Sequence, residues 1–287
     1  MPRLLWIALI CAPIAACGGG QGSGRYQIAD CSNLDAALPA DAGVAPKDVL
    51  DLQHWSLTIP EDSDADGVAD TISTAQLLNG YKSAWFYGSE DGGVVFWAPV
   101  TGAKTPNSQY ARSELRELIN PPDENTNWVI ADDAVMTASV AVNRVPLSND
   151  NAKAIVGKIV QFSNNNPDTH FLAHLIYHVH ANTCTAELYA LVDQSPSGTS
   201  QPEHYTLIED GLRLNEPFPY RMAVHQGVLT ITSGSHTQSI PINSAWNGVP
   251  VYFRAGAGLN TTGSDVNDGA AVTVFDLDVT HQSVSSR

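Results

Sequence analysis

Positive charge is scarce in this chain: its 287 residues carry 14 Lys plus Arg against 30 Asp plus Glu, a formal charge of −16. Such a balance has no basic excess with which to displace counterions from phosphates, so general nucleic-acid binding is excluded. An anionic partner then needs a locally basic cleft. Charged residues of both signs are few, 15% against 43% hydrophobic ones, which is the composition of a chain with a real core and not of a disordered one. Long apolar runs are also missing. The one at the start, Leu4 to Ile10, is too short for a stable transmembrane helix.

Cysteine is rare as well, with four in all, and the start of the chain accounts for two of them. Arg3, the apolar run and then Ile14-Ala15-Ala16-Cys17 have the layout of a bacterial lipoprotein signal, in which residues 1–16 are removed and Cys17 is acylated. Gly18-Gly19-Gly20-Gln21-Gly22-Ser23-Gly24 then reads as a flexible tether. The expectation is an exported bacterial protein anchored by Cys17 to the outer membrane or cell surface. An ordinary cleaved signal would instead leave it periplasmic or secreted. Cys11 is lost with the signal, so Cys31 and Cys184 remain in an oxidising compartment, where they are predicted to pair. The bond would close a loop of roughly 150 residues and contribute about 4–5 kcal/mol on chain entropy.

Residues 17–50 read as tether and arm, and residues 51–287 as a single domain without internal repeats. Eleven strand-like runs fall within it: Trp55–Ile59, Val94–Ala98, Ser113–Leu118, Val135–Val142, Ala154–Phe162, Phe171–His180, Glu187–Val192, Tyr220–Val224, Val228–Ser233, Val251–Ala255 and Ala271–Val279. Turn clusters such as Asn120-Pro121-Pro122-Asp123 separate them, which predicts an all-β sandwich or jelly roll.

Asp62-Ser63-Asp64-Ala65-Asp66-Gly67-Val68-Ala69-Asp70 places carboxylates at alternate positions ahead of a glycine, the spacing that a hard cation needs. Asp62, Asp64, Asp66 and Asp70 are the expected ligands of a structural Ca²⁺, and a solvated acidic turn is the alternative. Ser73 stands where an EF-hand has its twelfth-position Glu.

Tyr110-Ala111-Arg112-Ser113-Glu114-Leu115-Arg116-Glu117-Leu118 carries the most chemistry. On a strand, Arg112, Glu114 and Arg116 share one face and Ser113, Leu115 and Glu117 the other. Two guanidiniums braced by a carboxylate form a fork for an anionic sugar, though a surface ion-pair ladder has the same pattern.

The segment resembles the Arg-Ser-Glu-Leu-Arg strand of the alginate lyases of polysaccharide lyase family 7. Four further stretches are similar to that family in the same order: Leu52-Gln53-His54-Trp55-Ser56-Leu57-Thr58-Ile59-Pro60, Val94 to Ala103, Val251-Tyr252-Phe253-Arg254-Ala255-Gly256, and Phe275 to His281. The resemblance implies a β-jelly roll with a concave cleft and β-elimination on a polyuronate, alginate first. It implies an acidic polysaccharide as partner, a monomer, and no catalytic cofactor. Members neutralise the sugar carboxylate with an Arg and a Gln and move protons with a His and a Tyr. Arg112 matches the Arg. The family's Gln-x-His aligns Lys158 with the Gln and Val160 with the His, and its Tyr aligns with Gly258.

The expected carboxylate-neutralising pair is therefore Arg112 and Lys158, with Glu114, Arg116, Arg254 and Asn260 binding substrate. Proton transfer falls to His174, His178 or Tyr252. His170, His174, His178 and His180 lie on one strand face, and imidazole has the right intrinsic basicity. A zinc site is another reading of that row, but strand spacing alone does not bring three ligands together. Two other readings are a non-catalytic cell-surface polyuronate-binding protein and, more weakly, a hydrolase using Glu114 and Glu117, whose opposite strand faces separate them.

Overall fold

The computed structural model describes residues 37–106, 108–163, 170–180, 182–197 and 204–282. In chain order the strands are β1 (Trp55–Thr58), β2 (Thr71–Ile72), β3 (Phe86–Gly88), β4 (Val94–Pro99) and β5 (Arg112–Glu117). Then come β6 (Asp133–Arg144), β7 (Lys153–Gln161), β8 (Phe171–Val179), β9 (Ala186–Val192) and β10 (His204–Leu212). The last are β11 (Phe218–His225), β12 (Val228–Ser233), β13 (His236–Pro241), β14 (Val251–Gly258) and β15 (Gly269–Gln282). One five-residue helix, α1 (Thr74–Leu78), is closed by a capping box between Ser73 and Gln76.

Two antiparallel sheets pack face to face. One runs β10-β9-β8-β7-β14-β5-β1-β2 and the other β13-β12-β11-β6-β15-β4-β3, which is the expected jelly-roll sandwich. Alternation along each strand sends one set of side chains into the space between them. Leu115, Ile159, Leu175 and Phe253 from the first sheet meet Phe96, Met136, Met222 and Val272 from the second, all fully buried. Truncating one, Leu115→Ala for example, costs about 2–5 kcal/mol.

The four strands without a counterpart among the eleven predicted runs are β2, β3, β10 and β13, and these are the four edges of the two sheets. An edge strand is held by one neighbour, so its pattern is weak. In β13 only Ile240 of six residues is buried.

The arm also differs from expectation. Pro39 accepts a hydrogen bond from Tyr87 Oη, Ala42 pairs with Gly88, and Leu50 and Leu52 are core residues. Residues 39–50 are thus packed against the body. Cys17 and the signal segment lie outside the described residues, as does Cys31. Cys184 is disulfide-bonded.

Candidate active site

The first sheet brings the basic side chains into line. Register places Arg116 of β5 opposite Arg254 of β14, Arg254 opposite Lys158 of β7, and Lys158 opposite His174 of β8. Four basic residues thus sit side by side across four strands on the face turned away from the core. Like charges directly opposite one another destabilise a sheet, so the row needs anions to hold it.

Glu114, the one carboxylate in the row's midst, supplies part of that charge. Its Oε1 lies 2.5 Å from Lys158 Nζ, and its Oε2 lies 3.9 Å from Arg254 Nη1 and 4.0 Å from Arg112 Nε. Three cations around one anion leave a local surplus of two positive charges in a chain of net −16. All four groups are buried. Burial raises the Glu114 pKa, but Lys158, Arg112 and Arg254 outweigh it and hold the carboxyl below its usual value. Burial dominates at Lys158 instead: with help from Arg112 and Arg254, and against Glu114, it lowers the ammonium to about 8. His174 is held well below the usual imidazole value by burial, then by Lys158 and Arg112, so it is neutral near pH 7. Its ring stacks on Phe171 at 3.6 Å.

Two glycines of β14 make this packing feasible. Gly256 has φ +136°, and a Cβ there would lie 2.5 Å from Ser113 O and 2.8 Å from the Phe96 ring. A Cβ on Gly258 would lie 2.3 Å from Glu114 Oε1 and 2.8 Å from Lys158 Nζ. The Lys158 head therefore occupies space that a side chain at 258 would need. A register irregularity between Ala255 and Gly258 on the β7 side marks the same spot, as bulges beside functional sites commonly do.

A cleft of about 480 Å³ opens over this arrangement. Arg112, Lys158, His174 and Asn260 line it together, so four of the predicted residues converge. Asn260 Oδ1 is buried without a hydrogen-bond partner, an acceptor that a sugar hydroxyl would satisfy. Tyr110, His170, Gln109 and Phe171 complete much of the polar and aromatic wall. Tyr110 and Gln109 precede β5 and belong to no strand pattern, so the sequence does not mark them as site residues. Their only signal was adjacency to Arg112. His170 belongs to the histidine row that the sequence marks as a candidate for proton transfer.

Other predicted residues lie elsewhere. Arg116 is not presented to the cleft: its guanidinium donates to Glu124 O at 2.8 Å and to Asn127 Oδ1 at 3.3 Å, and it lies 4.3 Å over the Tyr252 ring. Tyr252 is buried between Arg116 and Arg254, away from the cleft wall. Arg254, also buried, donates to Thr58 Oγ1 at 3.3 Å and does not line the cleft. Glu114 braces cations and does not line the cleft. His178 is four residues along β8 from His174, about 13 Å at strand spacing, and its Nδ1 lies 3.0 Å from Glu187 Oε1. It takes no part in the cleft because the row of histidines outruns it.

Glu117 points between the sheets, where its carboxylate accepts from Trp128 Nε1 at 3.0 Å, from Phe253 N at 2.9 Å and contacts His281. The sheet separates it from Glu114, which removes the paired-carboxylate hydrolase. In the acidic loop, Asp62, Asp64 and Asp70 bring their carboxylates together, while Asp66 stands outside that trio with Oδ1 accepting from Val68 N.

Comparison with known proteins agrees with this geometry. The profile of the alginate lyase family matches residues 50–281. An alginate lyase of Klebsiella pneumoniae is 30% identical over 296 residues, covering 85% of this chain and 94% of the relative. Among solved structures, an alginate lyase of Pseudomonas aeruginosa superposes with a TM-score of 0.71 at 31% identity, covering 80% of this chain and 99% of the other. Alginate lyase A1-II′, a member of polysaccharide lyase family 7, gives 0.73 at 28% identity, covering 84% and 100%. With a match over most of its length and the same two-sheet fold, the chain belongs to the alginate lyases of polysaccharide lyase family 7.

Proposed function

We propose that the protein is a lyase that cleaves alginate by β-elimination in the cleft above β5, β14, β7 and β8. The observation that carries this reading is the buried basic cluster around Glu114, of which Arg112 and Lys158 face a cleft of an otherwise acidic protein. The C5 proton of a uronate is weakly acidic, and the reaction becomes feasible when the adjacent carboxylate is neutralised so that charge developing on it is stabilised. Arg112 offers a planar fork for the two oxygens. Lys158 offers a point charge beside it, already desolvated.

Neutral His174, the cross-strand neighbour of Lys158, serves as the base that takes the C5 proton. The C4–O4 bond then breaks, the C4–C5 double bond forms, and the departing O4 takes a proton from Tyr110 on the same wall. Asn260, through its unpartnered Oδ1, accepts from a sugar hydroxyl. Family resemblance aligns the usual His and Tyr with Val160 and Gly258, so this reading assigns the two proton transfers to other strands.

The test is ultraviolet absorbance of the unsaturated uronate, with purified protein on mannuronate-rich and guluronate-rich alginate and on glucuronan. Arg112→Ala should lose about 10²–10³-fold in kcat/KM with an unchanged circular dichroism spectrum. Retained activity would remove the cleft assignment. Binding of alginate without any unsaturated product from the wild type would favour a polyuronate-binding role at the cell surface. Export with a lipid anchor at Cys17, the Cys31–Cys184 bond and Ca²⁺ at Asp62, Asp64 and Asp70 are further proposals. Each rests on residue pattern, and the Ca²⁺ site also on the convergence of three carboxylates.

A further inference from the structure

The histidine row continues past the cleft, and there it meets a group that strand spacing alone did not reveal. His178 lies on β8, and His180 follows two positions on, so both project from the same face. Glu187 of β9 is directly opposite His178. His180 N donates to Thr185 O at 2.8 Å, which keeps the chain paired with the segment entering β9 just beyond the end of β8. The three side chains form a corner: two imidazoles on one strand line and a carboxylate facing them.

We propose that His178, His180 and Glu187 bind a divalent transition-metal ion of the zinc type. One ligand atom from each residue lies within 4.8 Å of the other two. Glu187 Oε1 is 3.0 Å from His178 Nδ1, and Oε2 is 3.8 Å from His180 Nε2. With metal–nitrogen and metal–oxygen bonds of about 2.0–2.1 Å, ligands at tetrahedral corners stand about 3.3 Å apart. The two separations, each to a different oxygen of the carboxylate, lie on either side of that value, and side-chain rotation within the 4.8 Å cluster brings one atom from each residue to such corners.

The donor set is also chemically selective. Two imidazoles and one carboxylate suit zinc and its neighbours, whereas Ca²⁺ and Mg²⁺ prefer all-oxygen sites. Tyr205 of β10 donates its hydroxyl to Glu187 Oε2, the kind of outer hydrogen bond that orients a ligating carboxylate. All three ligands are half-buried, which leaves a side open for entry and for water as a fourth ligand. A bound ion would tie β8 to β9, and β8 also carries His174 and Phe171 of the cleft.

The experiment titrates Zn²⁺ into the metal-stripped full chain against a chromophoric chelator, and repeats it with Co²⁺ to read its visible absorption bands. One Zn²⁺ per chain is expected, with Co²⁺ bands typical of four- or five-coordination by nitrogen and oxygen. The His180 side chain is 39% exposed, so His180→Ala should fold, and it should weaken Zn²⁺ binding at least about tenfold. Glu187→Gln should do the same and should abolish the rise in Tm that zinc gives the wild type. Asp62→Asn, which disables the acidic loop, should leave Zn²⁺ affinity unchanged. No stoichiometric Zn²⁺ binding, equal affinity in His180→Ala, or loss of binding in Asp62→Asn would each overturn the proposal.

Discussion

Lys158 should impose an alkaline limit on catalysis, and the limit can be placed from the structure. The ammonium is desolvated, and Arg112 and Arg254 repel it, so it titrates at about 8 instead of 10.5 even with Glu114 at 2.5 Å. The depression corresponds to about 3 kcal/mol between the two protonation states. In the proposed mechanism the charged form is the one that neutralises the sugar carboxylate. It is present below pH 8 and lost as pH rises through that value, from about 90% at pH 7 to about 10% at pH 9. On this basis kcat/KM should fall about tenfold between pH 7 and pH 9.

No matching loss should appear near pH 6.5, because His174 must be neutral to act and its pKa is held well below 6.5. The assay is the initial rate of unsaturated-product absorbance across pH at constant ionic strength, since screening changes the response of charged groups. Lys158→Arg keeps its charge above pH 12, so its profile should stay level past pH 9, at a rate lowered by imperfect fit. Lys158→Met should have a low rate without the alkaline fall. A wild-type profile level to pH 10, or a Lys158→Arg profile falling at the wild-type pH, would refute the reasoning.

Further outcomes follow from the same geometry. His174→Ala should lower kcat about 10²–10⁴-fold with little change in KM, and a wild-type kcat would assign the base elsewhere. Gly258→Ala sets a Cβ against Glu114 Oε1 and Lys158 Nζ and should cost about 1–3 kcal/mol as overpacking. Thermal unfolding should show this as a lowered Tm together with a displaced alkaline limb, and an unaltered Tm would contradict the packing. Cys184→Ser should lower stability by up to about 4–5 kcal/mol, and Cys31→Ser should match it in denaturant titration if the two residues are partners.

Much of the fold was legible because interior strands must satisfy two neighbours and bury one face. All eleven predicted runs correspond to strands in the interior of one sheet or the other. Edge strands escape that double constraint. β2 has two residues and β3 three, while β13 is exposed at every position but Ile240. Alternation also sorted Glu114 from Glu117 correctly, because a period of two fixes the face without knowledge of the partner strand. It could not tell how far along a strand the cleft extends. That depends on neighbouring strands and loops, which is why His174 lines the cleft and His178 does not. Tyr252 misled for a related reason: it shares a face with Arg254, but the Arg116 and Arg254 guanidiniums cover its ring.

Register explains why the basic row was invisible in the sequence. Arg116, Arg254, Lys158 and His174 are scattered over more than a hundred residues, and only antiparallel pairing aligns them. The same pairing links two positions that look independent in the chain. Lys158 can reach Glu114 only if residue 258 has no side chain, since a Cβ there would lie within 2.8 Å of the lysine nitrogen. A residue with a side chain at 258 and a lysine in this pose at 158 exclude one another on this backbone. Gly258 and Lys158 are therefore one structural feature, in which a cation fills space left by a missing side chain. On the proposed mechanism, a cleft built this way gains charge for holding the carboxylate at the spot where residue 258 carries no side chain. Proton transfer on that mechanism then comes from neighbouring elements that line the cleft, β8 with His174 and the segment before β5 with Tyr110.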